Sequence, residues 1–188
     1  MKTAIVIPAR YASQRLPGKP LLRTTGKYLV QHVYDRACQS RRADVVIVAT
    51  DDSRIADAVQ AFGGEVAMTR SDHPTGTDRV AEVIARMPEA RLIVNIQGDE
   101  PMLDPLMLEE VVAPFHQGTS VGLVTLKKEV FHETEFADPG VVKVVTDPNG
   151  IALYFSRSLI PYPRSRSGHF RVFEHVGVYA YSREKTRK

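Results

Sequence analysis

The sequence predicts an α/β protein built on a mostly parallel, doubly wound sheet, and three observations carry that reading. Continuous β-branched apolar runs at 3–7 and Val45–Thr50 have the pattern of strands covered on both faces. Amphipathic stretches of helical period separate them. The connections are only a few residues long, which implies βαβ units with right-handed crossovers. Composition agrees: 188 residues with 43% hydrophobic, 25% charged, 12 Gly and 12 Pro exclude collagen-like, low-complexity and disordered chains. A chain of this length can bury roughly 70% of its unfolded surface, so it needs no disulfide or metal staple. The single Cys38 can form no intrachain bridge and suits a reducing compartment.

The elements follow in order. Residues 3–7 read as a strand. The N-terminal stretch superficially resembles a signal peptide, but its apolar core stops at Pro8 and Arg10, short of the ~7–15 residues such signals need. Residues 28–39 place Val30, Val33, Tyr34 and Ala37 at helical spacing, and 52–62 repeat the pattern with Ile55, Ala58, Val59 and Phe62 before Gly63-Gly64 stops the helix. A short strand at Glu65–Met68, a helix at 77–87 and a strand at Leu92–Ile96 come next. Pro105–His116 reads as a helix with its proline at a tolerated first-turn position. After Ser120 the rhythm changes to strands at 121–126, 141–146, 152–155 and 175–181, with a strong turn signal at Asp147-Pro148-Asn149-Gly150. Residues 1–119 therefore read as a nucleotide-binding α/β region and 120–188 as a β-rich region that completes the site, the two forming one continuous domain. No apolar run approaches the ~18 residues of a membrane span, so a cytoplasmic protein without membrane insertion is expected.

A formal net charge of +3 is too balanced for a nucleic-acid binder. Its distribution says more. Between positions 10 and 27 stand five bases (Arg10, Arg15, Lys19, Arg23, Lys27) and no acid, and from Arg157 onward eight bases against Glu174 and Glu184. Such clustering suits a small anionic ligand better than a duplex.

The loop after the first strand, Pro8-Ala9-Arg10-Tyr11-Ala12-Ser13-Gln14-Arg15-Leu16-Pro17-Gly18-Lys19-Pro20, lies where a doubly wound sheet binds its ligand. It is neither G-x-G-x-x-G nor a P-loop. Ala12 and Ser13 are small enough to let backbone N–H groups approach phosphate oxygens. Arg10 and Arg15 offer planar forks and Lys19 a point charge. A solvated basic loop is the plainer alternative, but Pro17-Gly18 and Pro20 stiffen a segment that free loops leave mobile.

Asn95-Ile96-Gln97-Gly98-Asp99-Glu100-Pro101 closes the strand Leu92–Ile96. A carboxylate there, facing the basic loop, is placed to hold a Mg²⁺ that bridges phosphates, with Asp99 the better candidate than Glu100. The alternative is that Asp99 and Glu100 only begin the next helix as cap and first-turn acids. In Asp72-His73-Pro74-Thr75-Gly76-Thr77-Asp78-Arg79 a cap role accounts for the Thr/Gly composition. Arg79 is less easily placed, because the helix dipole disfavours a first-turn cation, and an anionic partner is expected for it. Tyr154 and Phe155 read as core aromatics. Arg157 and His175 are candidates for a sugar carboxylate or hydroxyl. The six His are scattered without metal-ligand spacing, and Gly-x-Ser-x-Gly and C-x-x-C are absent.

With these stretches in hand, the sequence resembles the 3-deoxy-manno-octulosonate cytidylyltransferase family, which transfers a cytidylyl group from CTP to the sugar acid 3-deoxy-manno-octulosonate (Kdo) for lipopolysaccharide assembly. The runs that carry the resemblance are 8–20, 48–52 (Val-Ala-Thr-Asp-Asp), 62–66, 75–82, 94–101, 141–145, 152–157 and 175–181. The resemblance implies a Rossmann-like nucleotidyltransferase fold, of the nucleotide-diphospho-sugar transferase kind, with a smaller β-rich part for sugar binding and dimerisation. It implies CTP phosphates on Arg10, Ser13, Arg15 and Lys19, a Mg²⁺ on Asp99, and cytosine near Pro8, Ala9 and Thr77 to Arg79. It implies Kdo contacts from Gln97, Arg157, His175 and Tyr179, and a homodimer. Family members continue past the His-x-Gly-x-Tyr strand to a Gly-Val-Asp-Thr-Pro-Glu-Asp segment with a second metal carboxylate. This chain stops at Lys188 without it, so a C-terminally truncated chain is expected. Three alternatives stand beside an active enzyme: a catalytically impaired CTP-binding remnant, a cytidylyltransferase for a related sugar acid, and a nucleotide-sugar glycosyltransferase. The last usually carries an Asp-x-Asp pair, which Gly98-Asp99-Glu100 lacks.

Overall fold

A computed structural model describes residues 1–12, 16–118, 120–163 and 170–184. The chain divides into two compact units, Met1–Val124 with Val178–Lys188, and Thr125–Gly177.

In the first unit the apolar runs become adjacent parallel strands: β1 (Thr3–Ala9), β2 (Val45–Thr50), β3 (Glu65–Met68) and β4 (Leu92–Ile96), in spatial order β3-β2-β1-β4. Ile5 stands opposite Val46 on one side and Val94 on the other. Both faces of this sheet are covered, which is why β1 and β4 show no polar alternation. Ala4, Val6, Ile47 and Ala49 pack with Val80, Val83 and Ile84 of α3 (Gly76–Ala85). Ile5 and Ile7 alternate to the opposite face. Helices α1 (Leu29–Ala37), α2 (Ser53–Ala61) and α4 (Pro105–His116) bury Val30, Val33, Ile55, Val59, Leu108 and Val111. Each such side chain contributes about 1.5–3 kcal/mol on burial.

The helix ends explain themselves chemically. Asp52 accepts from Arg54 N–H at 3.0 Å and Asp104 from Leu106 N–H at 2.9 Å, satisfying orphan first-turn donors. Thr75 and Asp78 form a capping box at α3. Gly63, at φ +80°, ends α2 in the left-handed region.

The second unit holds residues 125–130 of β5 (Leu123–Val130), a short α5 (Glu133–Ala137), β6 (Lys143–Thr146), β7 (Ala152–Ser156) and residues 172–177 of β8 (Val172–Ser182). β6 and β7 are antiparallel around the expected turn, where Asp147 Oδ1 accepts from Asn149 and Ile151 N–H. Lys143, fully buried, donates to the carbonyls of Asp138, Val141 and Arg157 at 2.7–2.9 Å. That α5 forms was not expected, since Glu133-Thr134-Glu135-Phe136-Ala137 is too short to display a period.

The expected division at residue 119/120 differs from the observed one. Residues 178–182 of β8 run antiparallel beside β4, with Tyr179 opposite Asn95, and so belong to the first unit. One eleven-residue strand serves both units, which no composition shift marks.

Candidate active site

β1 and β4 are parallel neighbours, so the loops that follow them leave the same end of the sheet side by side. Gly98 makes the approach possible: a Cβ there would lie 2.9 Å from the Pro8 carbonyl oxygen. Gly18, at φ +70°, donates from its N–H to the Tyr11 carbonyl at 2.8 Å and folds the basic loop back. Lys19 then begins a 3₁₀ turn, and its Nζ donates to Asp99 Oδ2 at 2.6 Å. Pro8, Ala9, Arg10, Lys19, Pro20, Gln97, Gly98 and Asp99 line one cleft of about 170 Å³. Six of these were expected at a ligand, from two stretches far apart in sequence.

Within the cleft wall Arg10 donates from Nη1 to the Pro74 carbonyl at 3.3 Å, while its Nη2 is buried with no hydrogen-bond partner among the described residues. A buried N–H without an acceptor costs about 1–3 kcal/mol, and an anion in the cleft relieves that cost. Enclosures for drug-sized ligands run to ~300–1,000 Å³, so this cleft accounts for a phosphate end rather than a whole nucleotide. Ser13 and Arg15 lie outside the described residues.

The turn at 72–79 approaches the same wall, since a Cβ on Gly76 would meet Pro8 Cγ at 3.2 Å. Thr77, however, lines a different, apolar groove of about 380 Å³ with Val80, Ala81, Ile84, Ile93 and Tyr181. This larger space holds no carboxylate and offers a phosphate little beyond Arg183. The charged cleft is therefore the better candidate for the chemistry. Arg79 meets a different anion from the ligand expected for it. Its side chain is fully buried and faces Asp51 Oδ2 at 3.1 Å, so the anion that answers the first-turn cation is internal. The sequence could not show it, because Asp51 sits at the end of another strand.

Tyr179 stacks on Tyr181 with ring centroids 6.3 Å apart, and burial pushes both phenols up. In the second unit Arg157 donates from Nη1 to the Pro139 carbonyl at 2.6 Å. His175 Nε2 lies 2.9 Å from Thr125 Oγ1, and its ring meets Phe155 edge-on at 4.9 Å. Burial holds the imidazole below the ordinary histidine range, which favours its neutral form. Tyr154 and Phe155, expected in the core, are exposed in β7. The sequence does not single out Asp51, Lys143 or Tyr181, and Pro20 reads there only as stiffening the loop. Pro20 alone had a local signal, its place in the basic loop.

A family model described as cytidylyltransferase matches residues 4–188. A 3-deoxy-manno-octulosonate cytidylyltransferase of Syntrophotalea carbinolica is 53% identical, covering 98% of this chain and 76% of that protein. The chain belongs to the 3-deoxy-manno-octulosonate cytidylyltransferase family. A relative of the same name from Geobacter sulfurreducens is 48% identical over 98% of this chain and 77% of its own length.

Among solved structures, a CMP:2-keto-3-deoxy-manno-octonic acid synthetase complexed with CTP is similar at a TM-score of 0.92 and 49% identity. The match covers 98% of this chain and 76% of that one. A cytidylyltransferase from Leptospira borgpetersenii, 19% identical with a TM-score of 0.61, shares the fold. The cytidylyltransferase family and the Rossmann-like α/β fold expected from the sequence are both borne out.

Proposed function

We infer that this chain transfers the cytidylyl group of CTP to Kdo, giving CMP-Kdo and pyrophosphate. The observation that carries this is the close likeness, over 98% of the chain, to a synthetase of that product complexed with CTP. The charged cleft supplies a physical reason for it.

In the proposed reaction the anomeric hydroxyl of Kdo attacks the α-phosphorus in line, and the bond to the pyrophosphate oxygen breaks. Little covalent work falls to the protein, so alignment and charge neutralisation carry the rate. Lys19 and Arg10 take the phosphate oxygens, and Arg10 Nη2 gains the acceptor it lacks. Ser13 and Arg15 are assigned to the same phosphates by family resemblance. Pro8 and Ala9 are assigned to the base end, with Thr77 near it. For the sugar acid, Gln97 and Tyr179 of the first unit are proposed.

Mg²⁺ is proposed as the metal. Among the described residues no group of three His, Cys, Asp or Glu side chains can hold an ion. Asp99 offers one half-exposed carboxylate beside the phosphate cations. That donor set fits an ion held by one or two carboxylates and the substrate's phosphates, which is how Mg²⁺ commonly binds. When bound, the ion neutralises phosphate charge and lowers the pKa of the attacking hydroxyl.

Among the described residues no helix is long and apolar enough to cross a membrane. A cytoplasmic role supplying lipopolysaccharide assembly is proposed. A homodimer is proposed through β7, the terminal strand of its sheet, which exposes Leu153, Tyr154 and Phe155. Sedimentation of the chain and of Tyr154→Lys tests that interface.

The reaction is tested by pyrophosphate release across a panel of CTP, UTP, ATP and GTP with Kdo, its amino analogue or no sugar. Release that requires CTP and Kdo together is expected. Preference for the analogue moves the assignment to a related sugar acid. CTP binding without release makes the chain a non-catalytic binder.

A further inference from the structure

We propose that Arg79 is a positioning residue for nucleotide binding, fixing the segment against which Arg10 is set. The inference rests on the reading that the charged cleft takes CTP.

The Arg79 guanidinium is entirely buried, although desolvation and the dipole of α3 both oppose a cation there. An apolar side chain of similar volume would fill the space without either penalty. It could not make the same ties. Nη1 donates to the Thr69 hydroxyl and, at 3.4 Å, to the Arg70 carbonyl, both just past β3. Nη2 faces Asp51 Oδ2 at 3.1 Å, just past β2. Thr69 is itself tied to the Thr50 carbonyl through both its N–H and its hydroxyl. One side chain thus joins the ends of two strands to the first turn of α3.

What hangs from that joint is the 73–76 turn. Its Pro74 carbonyl accepts from Arg10 Nη1, and its Gly76 packs on Pro8. Arg10 and Pro8 line the cleft, whereas Arg79 does not. Loosening the joint lets Pro74 drift and removes the hydrogen bond that aims the Arg10 fork. Nucleotide binding suffers first, because misplacing a charged fork by an ångström weakens its bidentate contact without altering the reacting groups.

The test uses Arg79→Lys and Asp51→Asn, with the double variant, in the full chain. Three readouts are taken: CTP affinity by titration calorimetry, KM and kcat for both substrates, and amide exchange over 70–78. Each single variant is expected to weaken CTP binding and raise its KM by about ten-fold, with kcat and the sugar KM within about three-fold. Faster exchange should be confined to 70–78, and the double variant should match the worse single one. Unchanged CTP affinity in folded Asp51→Asn and Arg79→Lys overturns the proposal. So does a uniform fall in every parameter in step with the folded fraction. Should wild type bind CTP but release no pyrophosphate, the enzymatic reading fails while affinity and exchange still decide the role of Arg79. Should wild type bind no CTP, both fail.

Discussion

Lys19 Nζ lies 2.6 Å from Asp99 Oδ2, joining the loop after β1 to the loop after β4. The two side chains are 37% and 48% exposed, so their attraction is worth at most about 1 kcal/mol. The pair is a weak latch between the phosphate cation and the proposed metal carboxylate. Lys19 is the resident counter-ion of Asp99, and in the proposed function the CTP phosphates draw it away.

Without nucleotide, a divalent ion therefore competes with an ammonium. Lys19→Met is expected to bind Mn²⁺ about three- to five-fold more tightly than wild type in the absence of CTP, read by the free-ion electron paramagnetic resonance signal. The same variant should bind CTP at least about ten-fold more weakly. Equal Mn²⁺ affinity in the two proteins contradicts the latch.

Gly98→Ala tests how closely the two loops must approach. The added methyl meets a backbone carbonyl oxygen at 2.9 Å, a neighbour that cannot rotate away. The loops are expected to part, lowering the melting temperature and weakening CTP binding about ten-fold. A calorimetric titration indistinguishable from wild type would remove the cleft from the account.

Lys143→Met leaves three part-buried carbonyls of the second unit without their shared, fully buried donor. An expected loss of about 2–4 kcal/mol follows from stranded acceptors. Amide exchange should localise it to 138–143 and 157, with β1 to β4 still protected. Protection unchanged at 138–143 would show that the ammonium holds nothing together.

His175 gives the second unit an acid-sensitive term. Its folded pKa is held below the ordinary value by burial, so as pH falls the unfolded chain takes the proton first. The stabilisation is complete above about pH 6.5 and is lost as pH drops toward the folded value. Glu129, held low by its hydrogen bond to Arg171, has the same sign. Its stabilisation is full above the ordinary glutamate value near pH 4.5 and is lost only as pH falls below it. Urea midpoints taken at about pH 7.5 and about pH 5.5 should fall for wild type and fall less for His175→Gln. Equal slopes in the two proteins would discount the burial of His175.

The sequence disclosed what local pattern encodes. β1 and β4 are contiguous apolar runs, and doubly wound topology puts the loops after them at one end. Arg10, Lys19, Gln97 and Asp99 could thus be brought together before any coordinates. What it hid depends on distant partners. Arg79 showed a cation at an unfavourable helix end, yet nothing local named Asp51. Lys143 looked like any strand lysine, because the carbonyls it holds come from a turn and the end of another strand. Tyr154 and Phe155 looked like core since aromatics in a strand usually are, and β7 is instead an exposed edge. β8 carries no mark of the point where it passes from one unit to the other.

The most direct measurement is pyrophosphate release by Asp99→Asn with CTP, Kdo and Mg²⁺. The amide keeps the shape of the carboxylate and the hydrogen-bonding reach to Lys19, but loses the charge. Turnover is expected to fall by at least about 100-fold while the protein stays folded and still binds CTP. Near-normal turnover would contradict the convergence of Arg10, Lys19 and Asp99 on the phosphates.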